Sequence, residues 1–191
     1  MTQTRLVEDI KNGDETAFRQ LISDHQNMVI NTCYGMLQNK EDAEDVAQEV
    51  FVKVYESIGS FRSESRLSTW IYRIAVNQCL NMIRKNRFKN LWIKLEETFC
   101  DHSSMGHQKE NGHSFMPHRK LESDEGITII RRAIKNLPKN QHVALTLHKY
   151  EEKSYKEIAE IMNISISAVE SLIFRAKKNL KRKLIQYYEK N

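Results

Sequence analysis

The chain has 191 residues, 29% of them charged, and contains only two prolines and six glycines. This length suits two small domains or one of ordinary size, and the composition favours long helices over sheets, so we predict an all-α protein. The sequence contains no long apolar run and does not begin with the apolar core of a signal peptide, so we expect a soluble, cytoplasmic protein without membrane insertion.

The charge is unevenly distributed, although the formal net charge is only +5. Residues 1–50 hold 4 Lys or Arg against 10 Asp or Glu, whereas residues 51–100 hold 9 against 4. Residues 101–150 (8 against 5) and 151–191 (9 against 6) are also basic. This asymmetry indicates a basic protein surface as the partner of the first part and nucleic acid as the partner of the rest.

The cysteines indicate the redox environment. Cys33, Cys79 and Cys100 form an odd, widely spaced set, which argues against a disulfide framework and fits a reducing compartment. Cys33 and Cys79 fall among apolar helical positions, so we predict that both are small core residues.

Residues 39–58 form the clearest amphipathic pattern. Asn39 is suited to cap a helix whose apolar side chains recur at three- and four-residue spacing. The opposite face is mostly acidic, with one apolar position among the acids, and consists of Asp42, Asp45, Gln48, Glu49, Val52, Lys53 and Glu56. Such a face is either solvated or a docking surface for a basic partner.

A polar loop over residues 61–67, which includes Arg62, Ser63 and Glu64, precedes a second long helix, for which Ser68 is the expected cap. Trp70 and Tyr72 lie near its start. Amides and cations then form a stripe on this helix: Arg73, Asn77, Asn81, Arg84 and Lys85. These groups can hydrogen-bond and stack on unpaired bases, or the aromatic residues are core and the cations a solvated end.

Residues 154–178 have the pattern of a helix-turn-helix. Ser154 with Glu157, and Ser167 with Glu170, predict capping boxes at the two helix starts, and Asn163 falls where the turn requires a positive φ. The residues expected to point outward on the second helix are short side chains followed by cations: Ser165, Ser167, Ala168, Ser171, Phe174, Arg175, Lys177 and Lys178. Short groups can approach base edges while cations reach phosphates; an ordinary pair of packed helices is the alternative.

The stretch from about residue 93 to 123 shows no sustained periodicity and is predicted to be a flexible linker. It would join domains at residues 5–92 and 124–188. The stretch contains Cys100 and four histidines, His102, His107, His113 and His118. Thiolate and imidazole bind zinc, but these spacings match no compact zinc pattern, so we expect no metal and no cofactor.

Several segments are diagnostic in combination: DAEDVAQEVF (42–51), STWIYRIAVN (68–77), the Leu137-Pro138 pair and the helix-turn-helix. In this order and spacing they resemble the bacterial sigma-70 family, and in particular its small extracytoplasmic-function (ECF) sigma factors. The resemblance extends from about Phe18 to Leu184, except for the middle linker. It implies an N-terminal helical domain like sigma region 2 and a C-terminal domain like sigma region 4.

The resemblance also implies partners. The acidic helix around Asp45 and Glu49 would dock on the β′ clamp helices of core RNA polymerase, with the β flap as a further contact. Asn77, Asn81, Arg84 and Lys85 would meet the minus-ten promoter element, and the loop at 61–67 would accept a flipped-out base. An anti-sigma factor is a further expected partner.

In the C-terminal domain, the resemblance implies that Ser167, Ala168, Ser171, Phe174 and Arg175 read the minus-thirty-five element. Glu170 and Leu172 depart from the family pattern, because many relatives carry basic residues there, and this leaves the base specificity open. The expected function is promoter recognition, DNA opening and transcription initiation with core polymerase, without catalysis by this chain. The alternative is a stand-alone helix-turn-helix regulator.

Overall fold

The computed structural model describes residues 3–99 and 121–189. Within these ranges the regular structure consists of eight α-helices and one short 3₁₀ helix, which confirms the all-α prediction. The N-terminal domain comprises α1 (Gln3–Lys11), α2 (Glu15–Leu37), α3 (Lys40–Ser57), the 3₁₀ helix (Ile58–Ser60) and α4 (Leu67–Phe99). The C-terminal domain comprises α5 (Leu121–Lys135), α6 (Lys139–Lys149), α7 (Tyr155–Met162) and α8 (Ile166–Tyr188). None of the described helices is both long and apolar enough to span a membrane.

In the N-terminal domain, α2, α3 and α4 pack against one another, and α1 packs on α2 and the 3₁₀ helix. Leu21, Val50 and Ile71 are fully buried where the three long helices meet. Cys33 and Cys79 are buried free thiols, as predicted. A hydrogen bond with the Cys33 thiol and burial together raise the pKa of Cys79, so this thiol stays protonated in the core.

The start of α3 agrees with the prediction, whereas the start of α4 does not. Asn39 caps α3, because its side chain accepts a hydrogen bond from the Asp42 N–H at 3.2 Å. Helix α4 begins at Leu67, one residue before the expected cap, with the Trp70 N–H donating to the Arg66 carbonyl at 3.2 Å. Ser68 is therefore inside the first turn. Leu67 is buried against the core, and its packing favours a helix that begins at Leu67.

In the C-terminal domain, α5, α6 and α7 pack on α8. The α7–α8 pair is a helix-turn-helix whose inner face buries Ile158, Val169 and Ile173. Ser154 and Glu157 form the predicted capping box, and Asn163 adopts the predicted left-handed conformation, with φ of 53°.

The predicted capping box at Ser167 and Glu170 is wrong. Ser165 is the cap of α8, and its hydroxyl accepts from the Ala168 N–H at 3.2 Å. The hydroxyls of Ser165 and Ser167 lie 3.1 Å apart. Because Ile164 is half-buried against the core, the turn ends before Ser165 and the helix starts at Ile166, two residues before the predicted start. Glu170 therefore lies beyond the first turn.

Helical structure covers both ends of the predicted linker, since α4 continues to Phe99 and α5 begins at Leu121. Residues 100–120 lie outside the described residues, as do Cys100 and all the linker histidines named above. The domain boundaries themselves remain a prediction.

The two domains contact each other, with α4 against α7 and α2 against α6. One buried apolar cluster continues from the N-terminal helices to Val143, Ala144 and Leu147 of α6. Gly35 permits this approach, because a Cβ atom there would lie 2.7 Å from Thr146 Cγ2. The two domains therefore form one packed unit in the described structure.

Candidate functional site

The acidic face of α3 is a continuous exposed surface. Asp45, Gln48 and Glu49 are exposed and Asp42 is half-buried, while Val52 is 60% exposed. Asp45, Gln48, Glu49 and Val52 line a shallow groove of about 590 Å³. The nearby cation Lys53 pairs with Glu56 at 3.0 Å. Within the described residues, no hydrogen bond or ion pair engages the Asp45 and Glu49 carboxylates, so both are available to a cationic partner.

The loop before α4 is exposed at its centre and anchored at both ends. Phe61 and Leu67 are buried, whereas Arg62, Ser63 and Glu64 are exposed. At the exposed centre of the loop, Ser63 adopts a φ of 57°, in the left-handed region. The exposed polar side chains at the centre of this loop can therefore contact a ligand while the start of α4 stays folded.

The two aromatic residues near the start of α4 differ in environment. Trp70 is half-buried and packs on Phe61 with ring centroids 5.2 Å apart. Tyr72 is only 3% exposed, and its hydroxyl donates to Glu151 Oε2 at 2.8 Å. Of the two alternatives left open by the sequence, the core alternative therefore holds for Tyr72, because the C-terminal domain covers its side chain.

The stripe on α4 is mostly accessible. Asn77, Asn81, Arg84 and Lys85 are exposed along it. Arg73 is half-buried instead, and its guanidinium donates to the Glu160 carbonyl oxygen of α7 at 2.7 Å. Its Nε is buried and has no hydrogen-bond partner among the described residues. The first member of the stripe is thus engaged by the other domain.

A cleft of about 670 Å³ lies between the domains beside this stripe. Glu64, Arg73 and Asn77 line it from the N-terminal domain, and Lys139 and Asn163 line it from the C-terminal domain. The structure therefore brings part of the predicted minus-ten surface together with the turn of the helix-turn-helix.

The outer face of α8 is open to solvent. Phe174 is 68% exposed, and Ala168 is half-buried. Arg175 Nε donates to the Ser171 carbonyl at 3.1 Å, which holds the guanidinium along the helix. The other exposed members of the predicted set are Ser165, Ser167, Ser171, Lys177 and Lys178. The structure therefore presents a polar, basic helix face with one exposed aromatic ring.

The sequence did not predict two features of this site. Ile166 is 47% exposed at the start of α8, because the helix begins earlier than predicted. The contacts of Glu151 and Glu160 with the N-terminal domain were also missed, since no periodicity reports a contact between residues about 80 positions apart.

Burial perturbs the ionisable groups at the domain contact. Burial, the hydrogen bond to Glu151 and the charge of Glu151 raise the pKa of Tyr72, and burial raises the pKa of Glu151 despite the opposing Tyr72 hydrogen bond and Lys153 charge. Lys153 lies over the Tyr72 ring, 5.1 Å from its centroid. The contact of Tyr72 with Glu151 and Lys153 therefore has the character of a structural interface, in which the Tyr72 hydroxyl stays protonated.

Comparisons with known proteins agree with this architecture. The sigma-70 region 2 family model matches residues 21–89, and the sigma-70 region 4 model matches residues 127–180. The ECF RNA polymerase sigma-E factor of Haemophilus influenzae is 37% identical over 186 residues, covering 96% of each chain.

Two solved structures share the fold. CnrH, in complex with the cytosolic domain of CnrY, has a TM-score of 0.65 at 18% identity, with 96% of this chain and 97% of that chain covered. The sigma factor RpoE, in complex with the anti-sigma factor NepR from Bartonella quintana, has a TM-score of 0.58 at 21% identity, with coverage of 87% and 96%.

A helical domain joined to a helix-turn-helix domain with an exposed, basic outer face is typical of the class of two-domain DNA-binding transcription proteins. Within that class, the chain belongs to the sigma-70 family, and its relatives place it among the ECF RNA polymerase sigma factors.

Proposed function

We propose that this chain binds core RNA polymerase through the acidic face of α3 and directs it to promoters with two recognition elements. The observation that carries the proposal is the pair of unpaired, exposed carboxylates at Asp45 and Glu49 beside the exposed apolar Val52. Charge complementarity to a basic helical surface, with an apolar contact at its centre, is a common interface design.

The amide stripe of α4 is proposed to hold the opened minus-ten element. Asn77 and Asn81 carry donors and acceptors for base edges, while Arg84 and Lys85 carry charges for phosphates. The loop with Arg62, Ser63 and Glu64 would take an extruded base, and Trp70 would support it by stacking. Capturing an unstacked base offsets the few kcal/mol lost on unstacking, so strand opening is coupled to binding.

The exposed face of α8 is proposed to read the minus-thirty-five element as duplex DNA. Ser165, Ser167, Ala168 and Ser171 are small enough for close approach to a major groove, and Phe174 offers an apolar surface. Arg175, Lys177 and Lys178 supply cations near the phosphates. Two weak contacts on one tethered chain act together through effective concentration.

We further propose that the protein acts without catalysis of its own, in the cytoplasm, where core polymerase carries out RNA synthesis. An anti-sigma factor is a proposed partner, in line with the NepR complex of the RpoE structure.

A charge reversal tests the docking surface. We expect that Asp45→Arg combined with Glu49→Arg abolishes co-purification with core polymerase, because two attractive contacts become repulsive. The matched control reverses two exposed acids on other helices, Glu8→Arg with Asp24→Arg, and should leave association intact. Equal association of both double variants would contradict the docking surface and favour a stand-alone helix-turn-helix regulator.

A further inference from the structure

Glu170 is an exposed carboxylate at the edge of the outer face of α8, between the exposed Phe174 and the buried Ile173. Its expected role in a capping box does not exist, because Ser165 caps the helix alone. Residues one turn away along the helix are Ile166, Ser167, Ile173 and Phe174, and none carries a positive charge. The Arg175 guanidinium is held by the Ser171 carbonyl. Within the described residues, the Glu170 carboxylate has no hydrogen bond or ion pair.

Its position on the helix defines what it can meet. Glu170 is the fifth residue of α8, and reading helices contact base edges with their N-terminal turns. The exposed Ser167 and Ser171 flank it in sequence order, and Phe174 stands one turn further, 68% exposed. A helix that brings these side chains into a major groove therefore brings Glu170 to the base edges with them.

A carboxylate in the groove is repelled by the phosphates unless it finds a donor there. Only two major-groove groups donate: the N4 amino group of cytosine and the N6 amino group of adenine. Adenine places its N7 acceptor beside the amino group, which a carboxylate repels, whereas cytosine has no acceptor on that edge. Guanine and thymine present only acceptors, apart from the thymine methyl group.

We infer that Glu170 is a specificity-determining residue that selects a cytosine on one strand of the upstream promoter element. The inference rests on the proposed function, because it requires α8 to read duplex DNA. A cation at this position would instead favour the O6 and N7 acceptors of guanine, so the residue decides which strand carries the purine.

The test uses the full-length protein with core polymerase and a promoter library randomised across the upstream element. Transcribed templates are sequenced for the wild type and for Glu170→Arg, Glu170→Gln and the control Glu152→Arg. Glu152 is an exposed carboxylate outside α8, so its variant makes the same charge change away from the reading face.

We expect the wild type and Glu152→Arg to enrich cytosine at one position by roughly 5- to 150-fold over other bases, the range of one good base contact. Glu170→Arg should switch that position to guanine, and Glu170→Gln should weaken the cytosine preference or shift it to adenine. The other positions of the element should stay as in the wild type.

Two failures are distinguishable. Enrichment that is the same at every position for the wild type and Glu170→Arg would overturn the role of Glu170 while leaving the proposed function standing. The absence of any enriched upstream sequence with the wild type, or of any transcription, would overturn the proposed function itself. Glu170→Gln keeps the size of the side chain, so a folding defect in Glu170→Arg does not prevent the test.

Discussion

At the scale of single residues, His142 of α6 shows how burial, as the largest of several effects, changes ionisation. The side chain is 3% exposed, and its Nε2 is buried with no hydrogen-bond partner in the part of the chain that the structure describes. Burial, reinforced by the charge of Arg87 and opposed by a hydrogen bond with the Gly35 backbone, lowers the pKa of His142 from 6.5 to about 4. The folded protein therefore contains a neutral imidazole that the unfolded chain protonates more readily.

This difference predicts a pH-dependent stability. Between pH 6.5 and about 4 the unfolded chain binds a proton that the folded chain does not, so stability falls as the pH is lowered through this window. At about 1.4 kcal/mol per pH unit the full loss approaches ~3 kcal/mol. Chemical unfolding at a series of pH values should show a shallower decline for His142→Leu than for the wild type. Parallel declines would mean that His142 does not titrate in this window.

At the scale of helices, the caps explain where elements begin. Asn39 and Ser154 occupy the positions that their sequence context predicts, since each precedes an amphipathic run without a competing cap. At α8, Ser165 and Ser167 are both candidate N-caps. Ser165 is the cap because Ile164, the residue before it, packs against the core and fixes where the helix begins. Two candidate caps within a turn made the start of α8 ambiguous, and at α4 the single expected cap, Ser68, was wrong because the helix begins at Leu67.

The two serines provide a direct test. Ser165→Ala should lower the free energy of unfolding by about 1 kcal/mol, because the Ala168 N–H loses its acceptor at the helix start. Ser167→Ala is the matched control, and we expect a much smaller effect, since the Ser167 hydroxyl caps no backbone group. Urea unfolding monitored by circular dichroism measures both. A larger loss for Ser167→Ala would reverse the assignment of the cap.

At the scale of the whole molecule, the main finding is the contact between the domains. It joins apolar packing of α2 against α6 with polar contacts from α4, in which Tyr72 bonds to Glu151 and Arg73 bonds to the Glu160 backbone. It also leaves the outer face of α8 open while covering part of the surface proposed for the minus-ten element. The two surfaces proposed to bind promoter DNA are therefore not equally accessible in this arrangement.

Gly35 gives a specific handle on this contact. Gly35→Ala should loosen the domains, because the new Cβ would lie 2.7 Å from Thr146 Cγ2 and 3.0 Å from Tyr150 Cγ. We expect a larger radius of gyration in small-angle X-ray scattering. Gly59→Ala is the control, since a Cβ there meets nothing within 4 Å. Identical scattering from Gly35→Ala and the control would show that the domains do not rely on this close approach.

The fold class, the helix-turn-helix and the amphipathic α3 could be predicted because each rests on local periodicity and caps. The acidic face could be identified for the same reason, since burial of Val46, Val50 and Val54 defines the opposite side. The domain contact could not be predicted, because Tyr72 and Arg73 find partners about 80 residues away. A glycine within α2 was the only local sign of a close approach, and glycine occurs in helices for other reasons.

The Arg73 guanidinium donates to the Glu160 carbonyl, so the domain contact would compete with the minus-ten element for this side chain. If Arg73 contacts the opened strand as proposed, only molecules that have released α7 can bind there, and the apparent dissociation constant is the intrinsic one divided by the released fraction. Substitutions that weaken the contact of α7 with α4 would then change promoter binding by the same factor at every sequence. The domain contact in the free protein would in this way change how tightly every promoter is bound without changing which promoter sequences are preferred.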